Sequence, residues 1–309
     1  MTSGNGHVAL LNFESAPQKV VSLVPSMTDS LFELGLGDHV VGVTDYCQPP
    51  QAASDELTRV GGTRAPDADA IIALGPDLVL ANQEETSRPT IEKLERAGLK
   101  VWTTFPRSAA EAIQVLWAIL GVFRAQDAAP KIATLELTLD WTRRASEAAP
   151  QARYFCPIWQ ADAQAYGRWW MTFNDLTYAG DLLKICGGQN AFADRERRYP
   201  LAADLGQVEP DPAGEHDTRY PRLTTQEVVD AQPDLILLPD EPYAFDASHV
   251  DEVRAAFEGT PAVADNRIHL IDGRLVTWHG TRMAEALAEL PALLQQGSPK
   301  ADAGRPAIT

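Results

Sequence analysis

The sequence predicts an α/β protein of two Rossmann-like lobes joined by one long helix, with a cleft between the lobes. Two observations carry this. One is a long amphipathic helix near the middle of the chain, read over residues 127–149. The other is an echo on either side of it. Ile71-Ile72-Ala73-Leu74-Gly75-Pro76-Asp77-Leu78-Val79-Leu80 precedes it, and Val228-Val229-Asp230-Ala231-Gln232-Pro233-Asp234-Leu235-Ile236-Leu237 follows it. Both read as a short amphipathic helix, a Pro-Asp turn and a buried strand. Two lobes of similar plan meet this repeat most simply, the alternative being two unrelated α/β pieces that share a common turn.

Residues 1–18 read as a polar lead-in. The N-terminal lobe, 19–126, opens with a strand at Lys19–Val24. Ser26 followed by Asp29 suggests a capping box for a helix over Asp29–Gly37, which glycines end. Strand Val40–Val43, a loop over Asp45–Thr63, helix Asp69–Leu74 and strand Leu78–Leu80 follow. Helix Pro89–Ala97 is stopped by Gly98, strand Val101–Thr104 closes the sheet, and helix Ser108–Arg124 leads onward. In the connecting helix, Asp127 suits the N-cap and Pro130 the first turn. Ile132, Leu135, Leu139, Thr142, Ala145 and Ala149 recur at steps of three and four on one face, over a rod of roughly 33 Å.

The C-terminal lobe, 150–296, opens with a strand at Arg153–Trp159. An aromatic-rich stretch Ala161–Asn174 and a helix Tyr178–Ile185 come next. Residues 191–223 read mostly as loop, in which Arg198-Tyr199-Pro200 is echoed by Arg219-Tyr220-Pro221. The segment between them, 201–218, is Pro-rich and acidic and reads as a mobile insertion. Thr224 and Glu227 form a capping box before the second Pro-Asp helix. Strand Arg267–Asp272 and helix Thr281–Gln296, disturbed at Pro291, complete the lobe, and 297–309 is a flexible tail.

Composition narrows the function. A formal charge of −17 argues against nucleic acid and against an anionic membrane surface. Three cysteines without a C-x-x-C read as the reduced thiols of a cytosolic protein. The N-terminus shows no secretory signal or lipoprotein cysteine. The expected location is therefore the cytoplasm. A periplasmic or cell-surface site would need another export route or a signal missing from this chain. A monomer is expected.

Ligands of open α/β sheets sit beyond the carboxyl ends of the strands. Eight residues after Pro76 stands Glu84, and eight after Pro233 stands Glu241. The acidic pairs Glu84-Glu85 and Asp240-Glu241 thus occupy equivalent points of the two lobes. They read either as carboxylate walls for a cation, a metal complex or a polar ligand rim, or as helix caps and solvated loop groups. Aromatics lie in or beside loops of the second lobe, notably Trp159, Trp170, Tyr199, Tyr243 and Trp278, with Arg198 beside Tyr199. They suit a bulky, partly apolar ligand with anionic or amide substituents, or else a satellite core. Enzyme signatures are weak: no G-x-S-x-G, no Walker A loop, no G-x-G-x-x-G and no H-x-x-x-H among six histidines. Ser26 reads as a cap rather than a nucleophile. His279, before a helix, reads as a hydrogen-bonding residue more readily than a metal ligand, and Cys47 as a small buried hydrophobe.

Val20-Val21-Ser22-Leu23-Val24-Pro25-Ser26-Met27-Thr28-Asp29, with Leu34-Gly35 and Val41-Gly42-Val43, resembles the opening of the helical-backbone (class III) solute-binding proteins. These serve ABC importers of cobalamin and ferric siderophores. Asp69–Leu80, Leu94–Val101, Cys186–Phe192 and Glu227–Leu238 continue the likeness in order, over roughly residues 19 to 290. Thr44–Cys47, Ala81–Glu85, Phe155–Trp159, Trp170–Phe173 and Leu238–Tyr243 resemble the cobalamin-binding-protein-like branch. The resemblance implies a rigid connecting helix, a shallow interlobe cleft and a permease partner. Docking members often carry a glutamate at the start of the helix before each Pro-Asp turn. Here those places hold Asp69 and Gln226, with Glu227 adjacent.

The expectation is a non-enzymatic binding protein for a bulky metal-containing or aromatic small molecule, a corrinoid or iron complex of siderophore type, either the solute-binding component of an ABC uptake system or a cytosolic relative of one. Trp159, Trp170, Tyr199, Tyr243 and Trp278 would be ligand walls. Glu84, Glu85, Asp240, Glu241, Arg198 and His279 would be polar contacts. The alternatives are a cytosolic metal-handling protein or metal-dependent enzyme using Glu84, Glu241 and His279, and a partner-binding scaffold using the 201–218 insertion.

Overall fold

A computed structural model describes residues 14–295, apart from 213 and 215. Most of the expected lead-in and all of the expected tail lie outside these residues. The chain divides into two compact units. One takes the chain to Leu137 together with Trp278–Ala284; the other takes Thr138–Thr277 together with the chain from Glu285.

In the first unit, β1 (Val20–Ser22), α1 (Pro25–Glu33), β2 (Val40–Val43), α2 (Gln51–Ser54) and β3 (Thr58–Arg59) follow in turn. After them come α3 (Ala68–Leu74), β4 (Leu78–Asn82), α4 (Arg88–Arg96), β5 (Val101–Thr104), α5 (Ala109–Phe123) and the opening of α6 (Ala129–Glu147). The strands make one parallel sheet in the order β3-β2-β1-β4-β5. Every residue of β1 and β4 is buried, as expected of central parallel strands covered on both faces. Val21, Leu23 and Val79 pack there with Ile71 of α3 and Leu94 of α4.

The second unit contains β6 (Ala152–Phe155), β7 (Trp159–Ala163), β8 (Gly167–Met171), α7 (Tyr178–Ile185), β9 (Gly188–Asn190), α8 (Leu201–Asp204) and β10 (Arg222–Thr224). It continues through α9 (Thr225–Asp230), β11 (Leu235–Pro239), α10 (Ala247–Ala256), α11 (Pro261–Ala264), β12 (Ile268–Ile271), α12 (Arg274–Thr277) and α13 (Met283–Gln295). Its parallel sheet runs β12-β11-β6-β9, and β10-β8-β7 form an antiparallel sheet. Read from β9, the parallel order matches β2-β1-β4-β5 of the first unit, so the repeat in the sequence is a repeat of topology.

The Pro-Asp turns serve the same purpose in both. Asp77 Oδ2 accepts the backbone N–H groups of Gln18 (2.7 Å) and Lys19 (3.0 Å), just before β1. Asp234 Oδ2 accepts that of Arg153 at 2.8 Å, in β6. Each carboxylate ties the start of the central strand to the neighbouring one.

Several expectations are corrected. The capping box of Ser26 and Asp29 does not form: α1 starts at Pro25, no side chain caps it, and Asp29 pairs with Arg282 at 2.9 Å. The aromatic stretch after Trp159 is a hairpin of β7 and β8, turned by Gly167 at φ 71°. The 201–218 segment is pinned to the fold at α8. Asp204 is buried in α8, and its carboxylate meets Arg195 at 3.1 Å and Arg222 at 2.8 Å. The long helix starts at Ala129 after a 3-10 turn at Gln126–Ala128, and α13 continues through Pro291.

Candidate functional site

At the carboxyl end of β4, Asn82 is buried, and its Oδ1 accepts the Glu84 backbone N–H at 2.7 Å. That bond starts the turn on which Glu84 and Glu85 sit half-buried. Asn82 Nδ2 lies 3.3 Å from Nε2 of His279, which is brought into the first unit by the Trp278–Ala284 segment. Three features dock that segment on α1: the Arg282–Asp29 pair, the Thr281 N–H donating to Ser30 Oγ at 3.1 Å, and Gly280 at φ 106° against Ser30. Burial pushes His279 down to about 4, so its imidazole is neutral at physiological pH. Trp278 is only 7% exposed and offers little surface to a ligand. Cys47 is also buried, and its thiol meets the Thr28 and Thr44 hydroxyls at 3.1 and 3.2 Å.

In the second unit, β6 and β11 lie side by side and deliver their next residues together. Trp159 begins β7 and stands 43% exposed. Its ring meets Tyr243 edge-on at 5.5 Å, and Tyr243 leans on Phe245 at 4.6 Å. The Tyr243 hydroxyl accepts from Gln160 Nε2 at 3.1 Å and lies 3.4 Å from His249 Nε2. His249 Nδ1 is in turn 2.9 Å from Asp246 Oδ1, at the start of α10. Gln160, Asp246 and His249 were not singled out in the sequence, although Asp246 and His249 stand at capping-box spacing. The result is a tyrosine whose hydroxyl meets two polar side chains, Gln160 and His249, the second held by Asp246, beside a tryptophan open to solvent.

Trp170, expected as a ligand wall, is a core residue. It is fully buried, packs on Phe257 at 4.9 Å and donates its indole N–H to Thr225 Oγ1 at 3.2 Å. Successive residues of a strand face opposite ways, and Trp170 points inward from β8. Asp240 and Glu241 act locally. Asp240 Oδ1 accepts the Gly273 N–H at 2.7 Å, and Glu241 Oε1 accepts from the Thr277 hydroxyl at 3.1 Å. Together they hold the turn into α12, the capping role weighed above.

Tyr199 stacks on His216 at 4.4 Å, and the Arg197 guanidinium lies over it at 4.9 Å. Arg198 is exposed; its backbone is tied down by Asp204 and Arg222. At the helix starts suggested for docking, Asp69 is exposed and pairs with Lys93, and Gln226 bonds Asp230. Glu227 is engaged internally, capping α9 and meeting Arg195 at 3.4 Å. Among the described residues, no three His, Cys, Asp or Glu side chains converge to hold a metal ion.

Residues 20–275 match the family described as periplasmic binding protein. The chain belongs to this family. It is 26% identical over 288 residues to the uncharacterized ABC transporter substrate-binding lipoprotein YvrC of Bacillus subtilis, covering 91% of this chain and 81% of that one. It is 29% identical over 188 residues to the vitamin B12-binding protein of Photorhabdus laumondii, covering 60% and 65%. Thus it spans just under two thirds of that relative. The crystal structure of the periplasmic vitamin B12-binding protein BtuF of Vibrio cholerae shares the fold, with a TM-score of 0.69 at 20% identity over 90% of this chain and 96% of that one.

These findings correct the cytoplasmic placement: the family is periplasmic, and the Bacillus relative is a lipoprotein. The cysteines had misled for a physical reason. All three are buried free thiols, and burial raises the pKa of each, Cys186 up to about 12. Buried protonated thiols are inert, so their lack of disulfides carries no compartment signal.

Proposed function

We propose that this periplasmic binding protein is the non-enzymatic solute-binding component of an ABC-type uptake system. Its ligand is a bulky metal-containing small molecule of corrinoid or ferric-siderophore type. The observation that carries this reading is the Trp159–Tyr243 pair. A large aromatic left 43% exposed, beside a tyrosine fixed by its neighbours, is a preorganised apolar surface with one placed hydroxyl. It stands beyond the carboxyl ends of β6 and β11, where α/β sheets bind ligands. The vitamin B12-binding relative supports the ligand class.

Trp159, Tyr199 and Tyr243 are the aromatic contacts in this reading, with Arg198 as a polar one. Glu84 and Glu85 serve the same purpose in the first unit, while the buried His279 supports their turn through Asn82. A permease partner would meet the exposed helix starts at Asp69 and Gln226. The test is a tryptophan-fluorescence titration with cobalamin, haem and a ferric hydroxamate siderophore, corrected for their absorbance. Saturable quenching by one of them at a stoichiometry of about one is expected. No response to any of the three would count against the proposal.

A further inference from the structure

Beyond the end of β9, the second unit carries a half-open cavity of about 400 Å³. Residues 194–199 form one wall, and Pro210, Asp211 and Thr218 line the rest. Three arginines line it, and they are not equivalent. Arg195 is committed, meeting buried Asp204 at 3.1 Å and Glu227 at 3.4 Å. Arg222, close by, is committed to the same Asp204. Arg197 has no such partner: its Nε is buried and meets no acceptor among the described residues, and its guanidinium lies over the Tyr199 ring. Burial and the neighbouring Arg222 charge lower its pKa, against the opposing pull of Tyr199, Asp204 and Asp217. Arg198 adds a second guanidinium at the exposed side.

The carboxylates nearby do not supply that acceptor. Asp217 is forked by Arg219, at 2.9 Å through Nε and 2.6 Å through Nη2. Asp194, Glu196 and Asp211 line the same cavity, but as exposed residues whose charge water screens. A half-buried guanidinium whose Nε meets no acceptor among the described residues matches a planar or tetrahedral oxyanion, the group that guanidinium forks recognise.

We propose that this cavity is an oxyanion subsite in which Arg197 and Arg198 hold a carboxylate or phosphate group. The group is either an anionic substituent of the transported molecule or a separate small anion. Only that choice of source rests on the proposed function; the subsite itself does not.

Inorganic phosphate is the probe, read by the shift of the thermal midpoint of the whole chain and by isothermal calorimetry. A saturable upward shift is expected, and chloride at matched ionic strength should not reproduce it. Arg197→Gln/Arg198→Gln should weaken phosphate binding by about tenfold or more. Arg198→Gln alone, at an exposed side chain, provides a variant whose folding is not at risk and should weaken it severalfold. Equal shifts with chloride, or unchanged phosphate affinity in both variants, would overturn the subsite. Phosphate competing with haem, through the haem carboxylates, would assign the group to the ligand; simultaneous binding would assign it to a separate anion. Phosphate uptake by a protein that takes none of the bulky probes would leave the subsite standing and count against the proposed function alone.

Discussion

Tyr243 and His279 show how differently two candidate residues can be held. Tyr243 is positioned by Gln160 and His249 through its hydroxyl and by Trp159 and Phe245 through its ring. Tyr243→Phe keeps the ring and removes the hydroxyl. A loss of roughly 1 kcal/mol in affinity for the quenching ligand is expected by calorimetry, with folding unchanged. His279 is neutral and buried, with its pKa lowered to about 4 from an ordinary 6.5. Between these values the unfolded chain binds a proton that the folded chain refuses, so stability falls as pH drops through that window. Urea unfolding at pH 7 and pH 4.5 should show a loss on the order of 2–3 kcal/mol from this group. His279→Gln should remove that part of the slope, and parallel curves for the two proteins would refute the assignment. Tyr243, Trp159 and His279 were all visible in the sequence as candidates, because large aromatics in or beside loops and a histidine before a predicted helix are few. Trp170 was misjudged because the inward face of β8 cannot be told from its outward face until the strand is recognised.

At the level of elements, α8 is the part least expected. An acidic, Pro-rich segment suggests solvated chain, yet Asp204 is its buried anchor. Its two oxygens accept the backbone N–H groups of Arg198 and Arg222 as well as the guanidinium bonds. Asp204→Asn should therefore cost about 3 kcal/mol in urea denaturation, since it leaves buried Arg222 without its carboxylate and Arg195 with Glu227 alone. A change below about 0.5 kcal/mol, the scale of an ordinary surface substitution, would show the segment to be dispensable. The parallel strands were legible because strands buried on both faces are written as continuous apolar runs, as in Leu78–Leu80 and Leu235–Leu238. By contrast, β9, which reads Gly188-Gln189-Asn190, carries no such run, and β10 is equally short. Their pairing is set by the strands beside them rather than by local sequence.

For the molecule as a whole, two sheets of the same order were foreshadowed by the Pro-Asp repeat, with Asp77 and Asp234 as its working parts. The membership of Trp278–Ala284 in the first unit was not. Asp29 and Arg282 stand 253 positions apart, and nothing local marks them as partners. Nor could composition reveal the compartment, because buried thiols look alike on either side of a membrane. The periplasmic family and its lipoprotein relative overturn the reading from composition, while the exposed aromatic pair supplies the reason to expect a large ligand.

The most direct measurement compares wild type with Trp159→Ala/Tyr243→Ala in calorimetric titrations against cobalamin, haem and a ferric hydroxamate siderophore. The wild type is expected to bind one of them at a stoichiometry of about one. The double variant, still cooperatively folded, is expected to bind it at least about 30-fold more weakly, in line with the loss of two large aromatic contacts. Equal affinities in the two proteins would contradict the assignment of this pair as the ligand wall.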